Sequence, residues 1–219
     1  MAQTRFQGPV KSDNGFRFGL ESGGPLQVGD MAWNPNDGTI DVQLTPHVTM
    51  QVGKEIFYRI KNQSGVDIAD GDVVSFAGAV GNSGVLLAAK ALAAPGTPPA
   101  YFMGMATEAI PNGAFGLVTH FGLVRGINTR GGAEHWAEGD LLYLSGVTPG
   151  ALTKIPPTTP VPKILVAAVV FRSPAGSLFV RPTIGENLSD LHDVRITNPQ
   201  NGDVLKYNAA GGFWFNTQP

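Results

Sequence analysis

Cysteine is absent from the 219 residues, which removes disulfides and thiolate metal sites from consideration. A chain without it suits assembly in a reducing compartment. Charge is scarce too: Asp, Glu, Lys and Arg together make 15%, and the formal net charge is −2. With no basic stripe to neutralise phosphates, nucleic acid is not an expected partner. No run approaches the apolar length of a membrane span. Residues 1–9 lack the apolar core of a secretory signal, so the expectation is a soluble chain without one.

What the chain has instead is 29 glycines and 17 prolines. That balance suits many short strands joined by tight turns and argues against a helical bundle. A chain of this length can bury about 70% of the surface its unfolded form exposes. Four times a Gly-Asp pair is followed at once by an apolar run: Gly29-Asp30, Gly71-Asp72, Gly139-Asp140 and Gly202-Asp203. Glycine supplies the positive φ of a tight turn, and aspartate can bond nearby backbone to fix it. The residues that follow read as strands, with Val74 and Phe76, Leu142 and Leu144, and Leu205 and Tyr207 sharing faces.

Boundaries are expected near residues 30, 65 and 185. They give an N-terminal arm at 1–29, a β segment at 30–65, a central β domain at 66–184 and a C-terminal β module at 185–219. The arm is polar and glycine-rich, with brief strand character around Phe16 and Phe18. Ile40, Val42 and Leu44 alternate cleanly, as do Val48, Met50 and Val52. Residues 85–94 carry helix-forming Ala and Leu among strands, and the strand reading is preferred. Residues 165–171 are apolar on both faces, which predicts a central strand buried on each side. The predicted fold is all-β: a short-stranded antiparallel sandwich or barrel-like central domain, an extended N-terminal arm and a small C-terminal β module.

Candidate chemistry is thin. His47, His120, His135 and His192 form no i, i+4 pair. The densest polar cluster, Glu134, His135, Trp136, Glu138 and Asp140, has the residue types for a metal or an acid/base pair. A solvated turn leading into a strand explains it better. Asp67, Asp70 and Asp72 lack the spacing and terminal glutamate of an EF-hand. Ser189, Asp190 and His192 lie close in sequence without a nucleophile elbow. Gly78 to Gly81 lacks the lysine of a phosphate cradle. Trp33, Trp136 and Trp214 could offer sugar-stacking platforms, although packing against a small core or an intersubunit seam is the better account. The expectation is therefore no catalytic residue, no metal and no cofactor.

Two segments carry a resemblance. One runs from Trp33-Asn34-Pro35-Asn36-Asp37-Gly38 through Val48-Thr49-Met50-Gln51-Val52 to Lys61-Asn62-Gln63-Ser64-Gly65. The other runs from Leu188-Ser189-Asp190-Leu191-His192 through Gly202-Asp203-Val204-Leu205-Lys206-Tyr207 to Phe213-Trp214-Phe215. Both resemble fibre-type structural proteins of tailed bacteriophage virions, and the stretch holding Gly104-Met105-Ala106-Thr107-Glu108 is similar to the same proteins. The resemblance implies a homotrimeric, β-rich virion component that acts by attachment to other virion proteins. It is expected as a tail fibre or fibre adaptor, or else as a head fibre or capsid decoration protein stabilising the shell. A host-surface glycan is the candidate non-protein ligand. Phe6, Phe16, Phe18, Trp33, Phe213, Trp214 and Phe215 are the candidate attachment surface. One departure is that residues 1–219 hold neither a long repetitive shaft nor a large receptor-binding head, so the expectation is a proximal fibre segment, an adaptor or a capsid decoration protein.

Overall fold

The structure is a computed structural model that describes residues 13, 18, 25–158, 160–185 and 188–219. Phe6 and Phe16 lie outside the described residues, and Phe18 is half-buried without regular secondary structure. The chain divides into two compact units between Lys54 and Glu55. The predicted all-β class is what is found: fifteen strands and three single 3-10 turns make up the regular structure among the described residues.

The first unit holds a three-stranded antiparallel meander of β1 (Met31–Asn34), β2 (Thr39–Gln43) and β3 (Thr49–Gln51). Asn34 builds the β1–β2 turn by accepting from the backbone N–H groups of Asn36 and Asp37, while Gly38 N–H donates to its carbonyl. The apolar alternation of residues 48–52 is only partly a burial pattern. Val48 is buried but Val52 is exposed, and it is Gln51 that is buried, its amide donating to Asp41.

The second unit contains a nine-stranded sheet, into which residues 55–65 contribute β4 (Ile56–Asn62). It continues with β5 (Val73–Ala79), β6 (Leu86–Lys90), β7 (Phe102–Ala106) and β8 (Phe115–Ile127). The stretch with helix-forming composition is thus the strand β6. These five strands run in the order β8-β4-β6-β5-β7, and β7 pairs again with β8, closing a barrel-like ring. Pairing is antiparallel except for β4 with β6. Its interior is filled by Ile60, Val74, Ala88, Met103, Ala106 and Val118, with Ile68 and Ile110 joined by a bridge across loops.

The second half of β8 leaves the ring and pairs with β12 (Gly176–Gly185). From there β11 (Lys163–Phe171), β9 (Leu141–Leu144) and β10 (Leu152–Thr153) extend the sheet. A second core forms from Val73, Met105, Val124, Leu142, Leu144, Ile164, Val166 and Leu178 with their neighbours. Adjacent residues Val73 and Val74 enter different cores, as do Met105 and Ala106. Alternation on a strand sends successive side chains to opposite faces, so β5 and β7 are the shared wall between the two cores.

β11 corrects an expectation. It is hydrogen-bonded on both edges, but its two faces are not equally buried. Ile164, Val166, Ala167 and Val169 are buried, whereas Val170 and Phe171 are exposed. A bulge between Leu165 and Ala167 explains the pattern. One extra residue shifts the side-chain phase by one, so the apolar run serves the same core before and after the bulge.

The last described segment forms a separate three-stranded sheet of β13 (Val194–Arg195), β14 (Val204–Asn208) and β15 (Phe213–Thr217). Its order is β13-β15-β14, with β13 parallel to β15. Among the described residues no helix is long and apolar enough to cross a membrane.

Candidate attachment surfaces

The four Gly-Asp pairs share one geometry. Each glycine has a strongly positive φ: 93° at Gly29, 84° at Gly71, 89° at Gly139 and 91° at Gly202. Each aspartate then makes two bonds to the residue three positions earlier. Its own N–H donates to that residue's carbonyl, at 2.8 Å for Asp30 to Gln27, 3.1 Å for Asp72 to Ala69, 3.0 Å for Asp140 to Ala137 and 3.1 Å for Asp203 to Gln200. Its carboxylate accepts that residue's N–H, from Gln27 at 2.8 Å, Ala69 at 2.7 Å, Ala137 at 2.9 Å and Gln200 at 2.9 Å. The positive φ at the third turn position fits a type II turn. The strands β1, β5, β9 and β14 each begin at the next residue. These are turn clasps, and their carboxylates are already committed to backbone.

The polar cluster around Glu134 is committed in the same way. Its carboxylate accepts from Thr153 Oγ1 at 2.5 Å, Trp136 Nε1 at 2.7 Å and Lys154 N–H at 2.8 Å. Burial pushes the Glu134 carboxyl up, but these three bonds and the Lys154 charge outweigh it and hold the group below its usual range. Trp136 packs on the second core and its carbonyl accepts from Arg172 Nε. Asp140 closes a clasp, and Glu138 accepts from Arg172 N–H. Asp67 likewise accepts from Asn112 N–H, and Asp72 pairs with Lys90 at 2.8 Å. Among the described residues no group of three or more His, Asp or Glu is placed to hold a metal ion. Ser189 lies in a 3-10 turn spanning Leu188–Asp190, and the Asp190 side chain is outside the described part.

The predicted aromatic residues fall in two places. Trp33 sits half-buried in β1, paired with Ile40. Phe213, Trp214 and Phe215 occupy one strand, β15, and alternation puts Trp214 on the face opposite the two phenylalanines. Cross-strand register then defines both faces. One carries Val194, Trp214, Tyr207 and Leu205, with the Tyr207 and Trp214 rings 5.2 Å apart. The other carries Arg195, Phe213, Phe215, Lys206 and Asn208, with the Phe213 and Phe215 rings edge to face.

None of residues 193–219 is buried, and Val204, Leu205, Tyr207 and Trp214 are exposed by 40% or more. Beside these ring contacts, polar side chains tie the sheet together inside one chain. Asp203 accepts from Gln200 N–H, Asn216 and Gln218, and Asn216 in turn exchanges bonds with Thr197 backbone. The backbone bond from Gln200 foremost, then the Asn216 bond, lowers the Asp203 carboxyl below its ordinary value.

Sequence reasoning singled out Trp214 as a candidate and passed over Arg195, whose guanidinium lies 3.7 Å from the centre of the Phe213 ring. An isolated arginine eighteen residues from its aromatic partner gives no local signal. Compared with family models, curated proteins and solved structures, the chain has no match.

Proposed function

We propose that this chain is a structural subunit of a tailed-bacteriophage virion, acting by protein–protein attachment as a tail fibre or fibre adaptor, and not by catalysis. The resemblance in residues 33–65 and 188–216 supplies the class. The observation that carries the attachment role is the C-terminal sheet, which buries no residue and leaves Val204, Leu205, Tyr207 and Trp214 exposed. A sheet this small is near the lower limit for independent stability and draws it from a hydrophobic face, and apolar patches left open to water mark interaction surfaces. Symmetric association of copies covers such faces and also shields strand edges. The proposed assembly is a homotrimer that attaches to other virion proteins.

The committed state of Glu134, Glu138, Asp72 and Asp140 supports a binding role, since each carboxylate serves as a fastener of backbone. Two measurements test the reading. Sedimentation of the full chain is expected to give a trimeric mass, and a monomer at micromolar concentration refutes the assembly. Quantitative immunoblotting of purified virions is expected to find a handful of trimers per particle. Tens or hundreds would replace the tail assignment with a head-fibre or capsid-decoration role, and none would end the virion reading.

A further inference from the structure

The face of the C-terminal sheet opposite Trp214 holds a cavity of about 270 Å³, lined by Arg195, Thr197, Asn208, Phe213, Phe215 and Asn216. Register places a cation, two aromatic rings and the Asn208 amide on this face, while Asn216 alternates to the Trp214 face and donates its amide to Asp203 at 2.7 Å. Arg195 is the organising group. Its guanidinium is stacked over Phe213, an arrangement that uses the flat face of the ion and leaves the N–H groups at its edge. Among the described residues it makes no salt bridge or hydrogen bond. A planar fork held by stacking is matched geometrically by a carboxylate, which accepts two parallel bonds.

The remaining lining narrows the ligand. Drug-sized ligands occupy pockets of roughly 300–1,000 Å³, so this cavity suits a group about the size of one sugar ring. Asn216 is spent on Thr197 and Asp203. Asn208 uses its oxygen to accept Gly211 N–H, which leaves its amide NH₂ as the group available to donate. The Phe213 ring lies under Arg195, so the Phe215 ring, edge to face with it at 6.2 Å, supplies the apolar surface that sugar C–H groups pack against. We propose that this cavity binds a carboxylate-bearing pyranose, such as a uronic acid unit of a surface glycan, with Arg195 holding the carboxylate and Asn208 a ring hydroxyl. The site stands on its own geometry and does not require the chain to be a virion component.

The test titrates the full chain with methyl β-glucuronide and methyl β-glucoside, following backbone amide resonances of Arg195, Asn208 and Phe213. The glucuronide is expected to give a saturable millimolar response, and the uncharged glucoside to bind about tenfold or more weakly. Arg195→Ala should erase that difference, while Tyr207→Ala on the opposite face should leave it intact. Should Arg195→Ala unfold the sheet, Arg195→Lys decides: it keeps the charge without the planar fork, and the preference should still fall. Equal response to both sugars, no saturable response, or a preference that survives either Arg195 variant overturns the proposal. So does acetate binding as tightly as the glucuronide, or a peptide carboxylate binding more tightly, since either removes the sugar from the assignment.

Discussion

Between Glu55 and Gly185 the long strands give at least one face to a closed core, whereas the three strands between Val194 and Thr217 bury no residue at all. Both regions use the same local device: clasped turns at Asp72 and Asp140 launch β5 and β9, and the clasp at Asp203 launches β14. Turn chemistry is therefore not what separates them. The barrel-like ring closes on itself and shares β5 and β7 with a second core, so its strands each have a dry side even though Ile56, Phe76 and Phe115 stay exposed. The C-terminal sheet spends polar bonds to hold its shape and leaves Leu205, Tyr207 and Trp214 in water. A sheet built in that way is organised for contact with something outside the chain.

The contrast is broken most severely at the ring's closure. Gly104 has a φ of 152°, and a Cβ there would lie 2.2 Å from the carbonyl oxygen of Thr119 on β8. Backbone cannot yield by that much without opening the β7–β8 pairing. Gly104→Ala is expected to cost more than about 4 kcal/mol, read by urea denaturation followed with tryptophan fluorescence. A cost under 1 kcal/mol, on the order of an ordinary surface change, would show that the ring is not closed there.

Leu142, fully buried in the core beyond the ring, comes next. Leu142→Ala should cost about 2–5 kcal/mol through lost burial and a residual cavity. Trp214→Ala in the C-terminal sheet is the paired measurement. It should cost less than Leu142→Ala while weakening association in sedimentation. If trimer formation and virion attachment are both unchanged by Trp214→Ala, the sheet is not the contact surface.

The clasps themselves rank below the core. Asp72→Ala removes a carboxylate that accepts Ala69 N–H and pairs with Lys90, so it should cost about 1–2 kcal/mol. Asp30→Ala, whose clasp lacks an ion pair among the described contacts, should cost less in the same assay. Equal effects would mean that the Lys90 pair contributes nothing measurable.

The smallest effect is a pH response confined to the C-terminal sheet. The Asp203 carboxyl is lowered in the folded state, so its contribution is full above the unfolded carboxylate value and is lost as pH falls through the lower folded one. Amide exchange at Gln200 and Asn216 should therefore accelerate, relative to the intrinsic rate, on acidification below the ordinary aspartate range. Asp203→Asn should remove most of that dependence. Exchange protection that is flat with pH would show that the carboxylate does not hold the turn.

Much of this was legible in order along the chain. Gly-Asp pairs mark strand starts because glycine's φ and the aspartate's two backbone bonds are settled within four residues. The neighbours of residues 85–94 point to a strand against their composition, and pairing of β6 with β4 and β5 overrides the weak helix propensity. Other features were illegible for a shared reason. The buried run of β11 looks two-sided in sequence, yet a bulge makes it one-sided. Gln51 looks like an outward residue in an alternating strand and is buried by its bond to Asp41. Arg195 has no motif around it, and only the parallel pairing of β13 with β15 lays it over Phe213.

The amino-acid order by itself determined the β class, the four clasped turns and the strands that leave them, because each is fixed by contacts a few residues apart. Tertiary structure alone decided which faces are dry, where the ring closes and which cation meets which aromatic ring. Those outcomes depend on strands pairing across tens of residues, and a single extra residue in one partner inverts the face that every later side chain presents.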